Sequence, residues 1–138
     1  MTTQSFPKTA RLLNAHDYKS VFDNSRYKVS CREFLFLATP SKGIRPRLGL
    51  VIAKKHIPKA VNRNKLKRAL REAFRLHQDQ LPLLDIVVLA RKDADRLTPA
   101  ALVSTINKLI ADLITREQND KRKAQANTDS KSNENIHR

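Results

Sequence analysis

One run of residues, Arg63-Asn64-Lys65-Leu66-Lys67-Arg68-Ala69-Leu70-Arg71-Glu72-Ala73-Phe74-Arg75, leaves the chain little freedom in how it folds. Leu66, Leu70, Ala73 and Phe74 recur at intervals of three or four, so a helix gathers them on one side. At about 100° per residue, Arg63, Lys67, Arg71, Arg75 and Arg68 fan across a neighbouring arc. Such a helix can bury one side only, against other elements, and must leave its cations together outside. That layout suits a surface that meets phosphates.

The flanking sequence points the same way. Residues 42 to 75 hold twelve Lys or Arg and a single acid, Glu72, which accounts for +11 of the formal net charge of +15. A face built for solubility mixes signs and uses i,i+4 Glu–Lys pairs. Here like charges repel unless a polyanion is present. Asn62 is a plausible N-cap, which would set Arg63 and Lys65 in the first turn. Free backbone N–H groups and added cations there would make an anion site.

A length of 138 residues and 40% hydrophobic content fit one small domain. No apolar run approaches a membrane span. The first residues lack the order of a signal peptide. Cys31 is alone, so no intrachain disulfide is expected, and it reads as a small packing residue. A cytoplasmic location follows as an expectation.

Asn14 caps an expected short helix, with Asp17 in its first turn and Tyr18, Val21 and Phe22 on its apolar side. Phe34 to Thr39 reads as a strand ending at Pro40. Leu48 to Ala53 reads as a second strand, delivering Lys54 and Lys55 at its end. Pro58 separates it from the basic helix, expected from about Ala60 to His77. Asp85 to Arg91 is almost wholly apolar and so a central strand. Thr98 and Pro99 open a last helix, with Leu102, Ile106, Leu109, Ile110, Leu113 and Ile114 as its core stripe. Residues 1–115 form the expected domain. Residues 116–138 turn polar and read as a disordered tail. The order is helix, strand, strand, helix, strand, helix, an α+β domain with a small sheet.

Catalytic chemistry is hard to find. The four histidines are scattered, and one cysteine makes no zinc spacing. Asp93 and Asp95 read as loop and cap residues. Gly43 and Gly49 are the only glycines, so there is no phosphate-cradling loop. No catalytic or metal-ligating residue is assigned, and the residues alone indicate a nucleic-acid binder. Tyr18 with Phe22, and Phe34 with Phe36, could stack single-stranded bases or fill the core.

The ordered segment Arg63-Asn64-Lys65-Leu66-Lys67-Arg68, then Arg71 and Phe74, resembles the signature of the protein subunit of bacterial ribonuclease P. The strand Arg47 to Lys55, Arg11-Leu12, the Tyr18 and Phe22 pair and the strand Asp85 to Lys92 extend the likeness over about residues 6 to 115. Two departures stand out. Lys65 replaces an arginine and loses its planar fork. The strand aromatic of the family falls at Leu37; Phe36, one residue out of phase, faces the other side.

The resemblance implies a central mixed sheet of about four strands with about three helices and a left-handed β-α-β crossover, opposite to the general rule. It implies a ribonucleoprotein endonuclease that releases the 5′ leader of precursor tRNA, with chemistry and Mg2+ held mainly by the catalytic RNA and substrate. Arg63, Asn64, Lys65, Lys67, Arg68, Arg71, Arg75, Lys54 and Lys55 would contact RNA. Tyr18, Phe22, Lys67 and Arg71 would line a cleft for the leader. The protein would be monomeric, one per RNA. The competing reading is a general basic RNA-binding protein, ribosomal or an assembly factor, without a part in cleavage.

Overall fold

The computed structural model describes the backbone of residues 15–41 and 45–137, and the side chains of 16–41 and 45–123. The cap expected at Asn14 and the match at Arg11-Leu12 lie outside the described residues. The elements are α1 (Ala15–Asp23), β1 (Tyr27–Ser30), β2 (Phe34–Pro40), β3 (Arg47–Val51), α2 (Ala60–Leu76), β4 (Leu84–Ala90), a 3-10 turn (Ala94–Arg96) and α3 (Pro99–His137). One mixed sheet runs in the order β1-β2-β4-β3. β1 and β4 flank β2 antiparallel, and β3 pairs parallel with β4. The α+β expectation holds, with β4 inside the sheet as its apolar run required.

Period-2 alternation divides the sheet into two faces. Phe34, Phe36 and Ala38 of β2, with Ile86 and Val88 of β4, join Leu66, Leu70 and Phe74 of α2 and Ile106, Ile110 and Leu113 of α3 in the main core. The Phe36 and Phe74 rings sit 5.8 Å apart at 35°. Both strand phenylalanines are therefore core residues and are unavailable for base stacking. On the other face only Leu37, Val87 and Val21 of α1 are fully packed together, with Tyr18, Leu35, Val51 and Leu89 around them.

Several boundaries differ from the sequence reading, and β3 ends at Val51 rather than Ala53, which leaves Lys54 and Lys55 in the turn beyond it. β1 was not anticipated; four residues give too short an alternation to stand out, although Tyr27 and Val29 are buried and Lys28 and Ser30 exposed. Asn62 is not the cap of α2. Lys59, extended and without a side-chain cap bond, holds that place, and the Asn62 amide instead donates to Asp95 at 3.2 Å. Finally, α3 runs past Arg116, where composition suggested a tail. Glu117 is buried, and Asp120 accepts a 2.8 Å hydrogen bond from the Tyr27 hydroxyl. Polar composition hid a helix that anchors itself by polar bonds to β1. The start of α3 is as expected: the Ala101 N–H donates to Thr98 Oγ1 at 3.2 Å.

Candidate nucleic-acid interface

The cations of the basic segment fall into two groups. The first is engaged inside the protein. Arg47 forks onto Asp85, with Nε to Oδ1 at 2.9 Å and Nη2 to Oδ2 at 2.7 Å, and reaches Asp17 from Nη1 at 3.1 Å. The hydrogen bond to Asp85, then the charges of Asp85 and Asp17, hold this guanidinium above its ordinary pKa against the opposing effect of burial. Asp85 is only 7% exposed, so Arg47 serves as its counter-ion and ties α1, β3 and β4 together. Arg63 donates from Nη1 to the carbonyls of Ile57 at 2.9 Å and Pro58 at 2.8 Å. It fastens the turn before α2, and the anion site expected at the helix N-terminus from Arg63 and Lys65 is not assembled. Arg75 pairs with Glu72, with Nε to Oε2 at 3.0 Å. Hydrogen bonding within this pair raises the Arg75 pKa and lowers that of Glu72.

The second group faces outward. Lys54 and Lys55 are exposed in the turn after β3, and Asn64, Lys65 and Arg68 are exposed on α2, while Lys67 and Arg71 are half-buried. Their positions divide around the helix. Lys65 and Arg68 stand at a groove of about 420 Å³ between α2 and the start of α3, whose apolar walls include Ala69, Leu97, Leu102 and Val103. Lys67 and Arg71 lie further round the helix, about 160° and 120° from Lys65 and about 100° and 60° from Arg68 by helical geometry. Neither of them lines the groove against α3.

The aromatic pair sits on the other face of the sheet. Phe22 is 45% exposed, as a stacking residue must be. Tyr18 is more firmly placed: its hydroxyl accepts from the Leu50 N–H at 3.1 Å and lies 3.4 Å from the Leu50 carbonyl, to which it donates. Its ring lies over Gly49, where a Cβ would come within 2.7 Å of the ring. Glycine is needed there for close approach. Among the described residues, no hydrogen bond or ion pair joins Tyr18 or Phe22 to Lys67 or Arg71. The helices that carry the two pairs pack on opposite faces of the sheet.

The sequence profile of the Ribonuclease P family matches residues 6–114. This chain belongs to that family. The ribonuclease P protein component of Chromohalobacter salexigens is 47% identical over 102 residues, covering 74% of this chain and 80% of that relative. That of Acinetobacter baylyi is 48% identical over 102 residues, covering 74% and 78%. Among solved structures, the ribonuclease P protein of Staphylococcus aureus superposes with a TM-score of 0.65 at 30% identity, covering 80% of this chain and 96% of the other. The Thermotoga maritima protein gives 0.64 at 31%, covering 77% and 96%. The ribonuclease P likeness thus extends through both the basic helix and the sheet beneath it. No described helix is long and apolar enough to cross a membrane.

Proposed function

We propose that this protein is the RNA-binding subunit of a cytoplasmic ribonuclease P, joining one catalytic RNA and assisting removal of the 5′ leader from precursor tRNA. The observation that carries this reading is the outward group of cations, Lys54, Lys55, Lys65, Lys67, Arg68 and Arg71, on and beside one helix whose other side is locked into the core. Two RNAs repel each other through their phosphates. A cationic protein between them lowers that repulsion and with it the demand for Mg2+. Among the described residues, no three His, Cys, Asp or Glu side chains are placed to hold a metal ion together. The RNA and its substrate would hold the Mg2+ that supplies the chemistry. In this reading the leader crosses the β3 edge, with Phe22 and Tyr18 offering rings from one face and Lys67 and Arg71 charge from the other.

The test is cleavage of labelled precursor tRNA at low Mg2+ by a matched catalytic RNA, with and without the protein, beside protein alone. Activity only in the combined sample supports the subunit role. Binding without any stimulation of cleavage favours the general RNA-binding alternative. With about six phosphates neutralised on single-stranded RNA, log K against log salt should fall with a slope near −4.

A further inference from the structure

The far edge of the sheet carries a second concentration of positive charge. Between β1 and the C-terminal half of α3 lies a cleft of about 290 Å³, lined by Arg26, Tyr27, Lys28, Arg116, Asn119, Asp120 and Lys123. Arg26 and Lys28 come from the residue before β1 and from β1 itself, Arg116 and Lys123 from α3, and Asp120 is the one acid among the lining residues. The nearby Glu117 is turned inward and paired with Lys121 at 3.0 Å. Four positive charges against one negative leave the cleft with a net +3.

The cleft is organised by bonds of its own. Asp120 accepts from the Tyr27 hydroxyl at 2.8 Å and pairs with Arg26 at 2.6 Å. The hydrogen bond from Tyr27, then Arg26 and the charge of Lys123, hold its carboxyl below the ordinary aspartate value. The Arg26 guanidinium lies 5.9 Å from the Tyr27 ring centroid. One carboxylate thus orients Arg26 while Arg116, Lys28 and Lys123 outnumber it. A surface shaped only for solubility would intersperse its signs; this one concentrates a single sign in a concavity.

The geometry points to a second RNA-phosphate site in this cleft, formed by Arg26, Lys28, Arg116 and Lys123 at the edge of the sheet opposite β3. The site rests on the RNA-binding role proposed above and extends it: the protein grips a phosphodiester backbone at both edges of its sheet. The backbone of the catalytic RNA and that of the precursor offer the same chemistry.

The test uses the full chain with Arg116→Glu/Lys123→Glu, exposed positions whose folding is checked by circular dichroism. Affinity is titrated from 0.05 to 0.5 M salt, against matched catalytic RNA alone and against its complex with precursor tRNA. Losing two phosphate contacts should flatten the log–log slope by about 1.4 and weaken binding on the order of 25-fold at 0.1 M salt. A loss with catalytic RNA alone assigns the site to that RNA; a loss only when precursor is present assigns it to the substrate. Asp120→Asn should tighten the same RNA severalfold, which a purely structural cleft would not do. If reversed charges unfold the helix end, Arg116→Gln/Lys123→Gln carries the same comparison. Unchanged slope and affinity, with Lys67→Ala/Arg71→Ala weakening the same RNA, would overturn this site and leave the proposed function standing. Failure of the unaltered protein to bind either RNA would instead remove the function itself.

Discussion

The two faces of the sheet are built to different standards. The face under α2 and α3 is a continuous core, in which Phe34, Phe36, Phe74, Ile106, Ile110 and Leu113 are all withdrawn from water. The face under α1 has one small cluster, Val21, Leu37 and Val87, and relies on polar fastenings: Arg47 between Asp17 and Asp85, and Tyr18 on Leu50. Stability is concentrated where the basic helix is held rigid. The lightly fastened side is where an aromatic side chain, Phe22, remains exposed.

The comparison breaks most visibly by emptying the main core. Phe74→Ala should cost about 3–5 kcal/mol in urea unfolding, a large part of the stability of a domain this size. On the other face Leu37→Ala should cost nearer 2 kcal/mol, because the smaller cluster can collapse around the gap. Equal losses would show that the two faces are equivalent. Next in size, Arg47→Ala strands the Asp85 carboxylate and should destabilise by about 1–3 kcal/mol, with Arg47→Lys recovering only part for want of the fork. Urea midpoints of the two variants decide this.

Gly49→Ala sharpens the comparison by touching α1 alone. The added methyl must displace the Tyr18 ring, at about 1–2 kcal/mol, and should weaken leader-bearing precursor more than leaderless product. A variant that loses stability but binds both ligands as before would separate Tyr18 from the leader. The smallest effect belongs to the polar bond between β1 and α3. Burial, then the hydrogen bond to Asp120, pushes the Tyr27 hydroxyl up to about 12 from 10.0. Because the folded value is the higher one, this contribution is complete below about pH 10 and is lost as the pH rises towards 12. Tyr27→Phe should lower stability by about 1 kcal/mol near neutral pH and flatten that alkaline decline, as measured by urea midpoints across the range.

What the sequence disclosed follows from how local each signal is. The seam of α2, the apolar run of β4 and the Thr98-Pro99 opening of α3 are one-dimensional patterns, and each reappears in the fold. Counting cations could not reveal which were already employed: Arg47 and Arg63 find partners 38 and 6 residues away in sequence. Asn62 looked like a cap because Asp95, its actual partner, arrives only through tertiary folding. The continuation of α3 past Arg116 was hidden for the same reason, since its fastening lies on β1, 93 residues back from Asp120.

The contact of Tyr18 with β3 also bears on the open edge of the sheet. β3 ends the sheet, and an edge strand with open N–H and C=O groups is a template for adding strands from other molecules. One hydroxyl engages both polar groups of Leu50, so α1 occupies part of that template. A strand from another molecule could pair with β3 at Leu50 only by displacing the Tyr18 hydroxyl from both groups.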